Sequence, residues 1–295
     1  MSILRGIVFL TAIVVNTVLC CVLLYPLGAV RGVCRALGAD RAARGLSRVA
    51  DGVIDEWTGL NRLLMRALGV SDIVVQVDDP AALTRHHWYL VICNHQTWAD
   101  ILVLQTVFRQ LAPPLRFFTK QQLIWIPLFG VALWLLDFPF VRRLSRAQIE
   151  ANPALAAIDR AATQAACARF LERPTGVLNF LEGTRFTPAK RAQQNPRFQH
   201  LLNPKLGGVS TVVDALSTQI HRVLDVTLVY PDGAPTFWQF LCGRAPRVLC
   251  TVRALPLPDA VHAAGDVDAV RATLAPWIET IWHEKDAMLA RAGHR

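Results

Sequence analysis

Residues Trp88 to Asp100 read WYLVICNHQTWAD. The first half is a short unbroken apolar run rich in β-formers, closed by the polar group Asn94-His95-Gln96-Thr97, which reads as a buried strand leading into a turn. From Ala99 to Phe108 the pattern turns helical, and Pro113-Pro114 stops it. A buried strand, a polar loop and a helix in that order form the first half of a parallel crossover unit, and the rest of the chain repeats the alternation.

Working outward, Ile73–Val77, Leu115–Thr119, Val177–Leu181, Val223–Tyr230 and Arg247–Leu255 read as further strands. Asn152-Pro153 opens a helix, with Asn as cap and Pro in the first turn, and that helix runs to Glu172 before Pro174. Gly207–Ile220 and Asp268–Arg291 read as helices. The alternation predicts an α/β fold, a mixed central sheet flanked by helices. A second apolar stretch, Leu123–Val141, is interrupted by Pro127, Gly130, Asp137 and Pro139. A span there would cut the α/β unit in two, so it is expected to be buried helix and strand with a face available to lipid.

The N-terminal part differs in kind. Ile7–Val30 is almost entirely apolar and long enough to span a bilayer, which takes about 20 residues. It is longer than the apolar region of a cleaved signal peptide. Only Arg5 precedes it, whereas Arg31, Arg35, Arg41, Arg44 and Arg48 follow, which places the downstream side in the cytoplasm. Pro26 and Gly28 leave a shallow, re-entrant anchor as the alternative to a full span. The expected organisation is an anchor helix over 1–30, amphipathic interfacial helices over 31–70, and a catalytic domain over 71–295. The expected location is the cell inner membrane, with the catalytic domain on the cytoplasmic side.

Composition agrees. Of 295 residues, 53% are apolar and only 18% charged, against about 25% charged in average chains. Disorder and collagen-like order are excluded. The formal charge of +9 favours anionic partners. Because the arginines cluster beside the apolar run and no nucleic-acid module is present, the partner expected is an anionic membrane surface and not nucleic acid. The seven cysteines are odd in number and form no CxxC pair, so neither a disulfide framework nor a metal site is expected.

Two segments carry chemistry. His95 and Asp100 are five residues apart, about 140° around a regular helix, so they meet only if His95 lies in the turn and Asp100 in the first helical turn. A carboxylate on one imidazole nitrogen fixes the tautomer and leaves the other nitrogen as a base. About eighty residues later, Phe180-Leu-Glu182-Gly183-Thr184-Arg185 follows a buried strand directly. Gly183 allows close backbone approach, while the Thr184 hydroxyl and the Arg185 guanidinium suit a phosphate. Taken singly, each segment also fits an ordinary polar turn.

Together, NHQTWAD and FLEGTR resemble the first and third motifs of the glycerolipid acyltransferase family, the PlsC-like 1-acylglycerol-3-phosphate acyltransferases. Phe140–Arg143 is similar to the second motif, Lys120 to the lysine between the first two, and Val226–Pro231 to the fourth. Pro204-Lys205 and Pro235–Gly243 are similar to the YihG and lysocardiolipin acyltransferase branch. The resemblance implies a general base at His95 oriented by Asp100, with Lys120, Arg143, Thr184 and Arg185 around an acceptor phosphate. Gly183 and Glu182 organise the turn in this reading, and Glu182 also contacts glycerol hydroxyls. No cofactor is implied, since acyl-CoA or acyl carrier protein serves as co-substrate. The implied acceptor is a lysophospholipid, above all 1-acylglycerol-3-phosphate. Another lysophospholipid, hydrolysis of the thioester by water, and anionic-lipid binding without catalysis stand as alternatives. The chain departs from the family pattern at Leu181 and Thr227, where proline is usual, at Asp137, where the second motif begins with glycine, and at Arg142, where it has an acidic residue.

Overall fold

The computed structural model describes residues 2–141 and 154–292. Its strands are β1 (Asp72–Val77), β2 (Trp88–Cys93) and β3 (Leu115–Phe117), a small parallel pair β4 (Thr119–Lys120) and β5 (Phe140–Val141), then β6 (Gly176–Phe180), β7 (Ile220–Val229) and β8 (Arg247–Leu255). The main sheet has the order β1-β8-β7-β2-β6-β3. All its pairings are parallel except β7 with β8, so the sheet is mixed, as the alternating pattern predicts. β2 lies between β6 and β7, buried on both faces, which is why its sequence is a continuous apolar run. Because β2, β6 and β7 are parallel, their C-terminal ends open on the same edge, and the loops that follow them meet there.

Helices cover both faces. On one side lie α1 (Ser2–Ala36), α2 (Asp40–Ala67) and α3 (Ala99–Leu111), sharing a core that runs from Phe9 and Met65 through Val103 to Val91 on β2. The short α4 (Phe129–Leu135) joins α1 and α2 in a smaller cluster with Cys21, Leu24, Ile54 and Leu133. On the other side α5 (Ala154–Phe170) and, later in the chain, the helices Leu206–Leu216 and Val267–Ala292 bury Phe170, Val212 and Trp282 against Leu90 and Ile92.

Several boundaries differ from the sequence reading. Helix α1 continues to Ala36, past the expected end of the anchor at residue 30, and Gly38 (φ +70°) then turns the chain back into α2. The two helices run side by side: Arg5 Nη1 donates to the Gly69 carbonyl (2.9 Å), and Asn16 Nδ2 donates to the Trp57 carbonyl (3.0 Å) and to Asn61 Oδ1 (2.9 Å). The helix expected over 207–220 ends at Leu216, and Ile220 already begins β7. Two short helices, Pro188–Gln194 and Phe237–Leu241, were not expected. The stretch from Leu123 onward forms the end of a 3₁₀ turn, α4 and β5, and it leaves Trp125 (84% exposed) and Trp134 (52% exposed) facing outward beside α1. Asn152, Pro153, Arg142 and Arg143 lie outside the described residues.

A buried ionic network ties the helical pair to the sheet. Arg31 of α1 pairs with Asp137 (3.0 Å), Asp137 with Arg173 (2.9 Å), and Arg173 with Asp51 of α2 (2.7 Å). Asp51 also pairs with Arg116 of β3. Asp137 has φ +61°, the left-handed backbone that glycine adopts without strain and that Asp tolerates better than most residues. Asp137 thus brings a carboxylate to a backbone conformation that favours glycine.

Candidate active site

β2 ends at Cys93 and α3 begins at Ala99, which places His95 in the intervening turn and Asp100 in the first helical turn. His95 Nδ1 lies 2.8 Å from Asp100 Oδ2. The same oxygen accepts the Gln96 and Thr97 backbone N–H groups (2.7 and 3.0 Å). An acceptor-only carboxylate puts the proton of the neutral imidazole on Nδ1 and leaves Nε2 with a lone pair. The imidazole stacks on Phe180 at the end of β6 (centroids 4.0 Å apart, planes at 18°) and meets the Trp98 ring edge-on at 6.4 Å. Asn94 fastens the turn to β7, its amide donating to the Leu228 carbonyl and accepting the Leu228 N–H, both at 2.9 Å.

The Glu182–Arg185 turn is built against this loop. Glu182 is fully buried. One carboxylate oxygen accepts the His95 N–H (2.8 Å) and the other accepts the Leu202 N–H (3.1 Å). The Phe186 N–H donates back to the His95 carbonyl (2.7 Å), so the His95 backbone is held from both sides. Burial pushes the Glu182 carboxyl up to about 7, against the lowering effect of its two backbone donors. This leaves Glu182 the organising role and removes the expected contact with acceptor hydroxyls: both oxygens are committed, and no part of the residue reaches solvent.

Gly183 (φ +67°) suits this turn by its backbone conformation. Its backbone is left-handed, and a Cβ there would stand 2.9 Å from Lys205 Cδ, because the Lys205 side chain lies across the turn. Lys190 Nζ donates to Thr184 Oγ1 (2.7 Å) and to the Arg185 carbonyl (3.0 Å), bracing the turn and leaving the Thr184 proton free to donate. Arg185 is exposed, with its guanidinium 5.0 Å above the Trp98 ring. Lys120 lies on β4, paired with Val141, but its side chain, like all of Arg143, falls outside the described residues.

A family model described as acyltransferase matches residues 74–231, more than half of the chain. The chain belongs to the acyltransferase family. Among its relatives, the 1-acyl-sn-glycerol-3-phosphate acyltransferase gamma of Mus musculus is 25% identical over 210 residues, covering 68% of this chain and 52% of the mouse protein. The 1-acyl-sn-glycerol-3-phosphate acyltransferase 2 of Brassica napus is 24% identical over 254 residues, covering 80% and 57%. The chain thus spans little more than half the length of these relatives. The crystal structure of PlsC, the 1-acyl-sn-glycerophosphate acyltransferase of Thermotoga maritima, shares its fold, with a TM-score of 0.52, 17% identity, and coverage of 96% of this chain and 97% of that one.

In this acyltransferase-family chain an apolar cavity of about 440 Å³ opens beside the His95 loop. That volume lies within the usual range of ligand pockets, about 300–1,000 Å³. Trp98, Ile101 and Leu102 line its near end, α1 and α2 contribute Ile13, Leu24, Ile54 and Trp57, and Leu133 and Phe138 close the far side. Trp98 therefore belongs to three surroundings at once: the imidazole, the Arg185 guanidinium and the cavity wall. Cys93 is fully buried and burial holds its thiol well above the usual range, which suits packing and not nucleophilic attack. The sequence reading missed Asn94, Phe180, Lys190 and Tyr230. Asn94 and Phe180 lie within the two motif segments and Tyr230 within the stretch similar to the fourth motif, whereas Lys190 carried no local signal.

Proposed function

We propose that this protein transfers a fatty acyl group from a thioester donor, acyl-CoA or acyl carrier protein, to the free hydroxyl of a lysophospholipid, with 1-acylglycerol-3-phosphate as the acceptor and phosphatidic acid as the product. The observation that carries the reading is the His95–Asp100 pair, placed between a cationic turn and an apolar cavity. An acyl-chain amphiphile has the same layout: an anionic end, a reacting oxygen and a hydrocarbon tail. The activity for which the relatives are named and the motif pattern point the same way.

His95 Nε2 removes the acceptor hydroxyl proton as that oxygen attacks the thioester carbonyl. Asp100 stabilises the imidazolium that forms. The tetrahedral intermediate collapses with loss of the thiolate, which takes the proton back from His95. Arg185 and the Thr184 hydroxyl hold the phosphate, and Lys120 and Arg143 complete that pocket by resemblance. Holding two substrates in register supplies much of the acceleration. Helix α1 is long and apolar enough to cross a membrane, and its outward face carries Val15, Leu19, Val22 and Leu23. Its inner face is held to the body at Arg5, Asn16 and Arg31 along its length. This favours a helix laid into one leaflet with α4 beside it, at the inner membrane with the site on the cytoplasmic side.

The test is transfer by the purified protein, with lysophosphatidic acid, lysophosphatidylcholine and lysocardiolipin offered against acyl-CoA and acyl carrier protein donors. The expected result is acceptor-dependent product formation that His95→Ala lowers about 10²–10⁴-fold. Thioester hydrolysis indifferent to acceptor would make the protein a thioesterase. Lipid binding unaffected by His95→Ala, with no turnover, would make it a lipid-binding protein.

A further inference from the structure

Asp100 holds His95 through one oxygen only. Oδ2 takes the imidazole N–H and two backbone N–H groups, whereas Oδ1, among the described residues, accepts one bond, from the Tyr230 hydroxyl at 2.7 Å. Tyr230 stands one residue beyond the end of β7, 6% exposed, and Asp100 is fully buried. We infer that Tyr230 is a positioning residue of the reaction, which locks the Asp100 carboxylate and sets how strongly that carboxylate holds the His95 imidazolium. The inference rests on the reading of His95 as the base.

The reasoning is electrostatic. A hydrogen bond to an ionised carboxylate stabilises the anion and draws charge away from the oxygen facing the imidazole. With Tyr230 in place, the imidazolium is held less tightly and gives up its proton at a lower pH. Without it, the carboxylate holds the imidazolium harder and is also free to rotate. Burial and the Asp100 charge push the Tyr230 phenol up, so it remains a donor throughout the neutral range. The other titratable groups facing this pair are Cys93 on β2, Cys250 on β8 and Glu182 on the turn, with Lys285 behind them on the C-terminal helix. The two thiols are pushed up by burial and stay neutral. Glu182, raised by burial to about 7, titrates in the neutral range, so a pH profile alone can report a group other than the base. The imidazole therefore has to be observed directly.

Two proteins are compared with the wild type. Tyr230→Phe keeps the ring and removes the donor. 3-Fluorotyrosine incorporated at position 230 keeps the fold and makes the donor stronger. For each, the pH profile of kcat/KM is measured, and the His95 ring is titrated by NMR in the full-length protein, its signal identified by its loss in His95→Ala. For Tyr230→Phe, kcat is expected to fall about tenfold at unchanged acceptor KM. Both the acid limb of the profile and the His95 titration are expected to move up by about 0.5–1 pH unit. In the fluorotyrosine protein both move down. A His95 titration unmoved in the fluorotyrosine protein overturns the inference, even if Tyr230→Phe does not fold. Undiminished transfer by His95→Ala instead overturns the reading of the base, so the two failures are distinguishable.

Discussion

Replacing Glu182 by Gln should alter the pH dependence of stability more than stability itself. The carboxyl ordinarily titrates at 4.5 and burial raises it to about 7 in the folded protein, so the native state retains the proton after the unfolded chain has lost it. The contribution is fully present below the unfolded value and is lost as pH rises through about 7. The gap between the two values corresponds to roughly 3 kcal/mol. Gln cannot ionise, so this loss disappears in the variant. Gln carries its own cost, because its amide must face the N–H of either His95 or Leu202, donor against donor. An unsatisfied buried N–H costs about 1–3 kcal/mol. The Gln protein should therefore be the less stable of the two at pH 5, and should equal or overtake the wild type by pH 8. Urea unfolding followed by tryptophan fluorescence, in one detergent and at several pH values, gives both curves. A stability difference that stays constant from pH 5 to pH 8 would refute the argument, since it would mean that Glu182 titrates alike in the folded and unfolded chains.

Three other outcomes follow from the geometry. Arg185→Lys keeps the charge but loses the planar fork, and should lower kcat/KM for the acceptor about tenfold while leaving the donor KM nearly unchanged; steady-state kinetics with each substrate varied in turn decide it. Asp137→Ala leaves Arg31 and Arg173 buried without their shared carboxylate and puts alanine at a positive φ, so unfolding should become easier by about 3–5 kcal/mol, read as a lowered Tm. Val15→Asp with Leu19→Asp, both on the outward face of α1, should release the protein from membranes during carbonate washing while helicity is retained; quantitative retention would assign the attachment to α4 and its neighbours.

The part of the site readable in the sequence was the part built from adjacent residues. The end of β2, the turn and the start of α3 are all encoded within thirteen residues, so the meeting of His95 and Asp100 followed from local pattern alone. Tyr230 is 130 residues from Asp100, and the contact exists only because β7 lies beside β2 in the sheet, an order that no periodicity records. Glu182 shows the same limit differently. In sequence it is an acid in a polar turn, and its burial depends on two backbone amides brought to it from the His95 loop and from Leu202. The turn at Gly38 was overlooked for another reason. Helical spacing on both sides hid a break whose glycine and following Asp40 are ordinary end and start signals.

The joining of the first two helices to the sheet bears on how this protein can be handled. Phe9 sits in the same core as Val91 of the central strand, Arg31 pairs with Asp137, and Asp51 pairs with Arg116 and Arg173. A cut between residues 36 and 72 would therefore divide one core and one ionic network. Removing α1 and α2 would take away one wall of the apolar cavity, expose the core, and leave Arg116 and Arg173 without Asp51. A water-soluble form has to be reached by repainting, one outward side chain of α1 at a time, with the inward side chains left untouched.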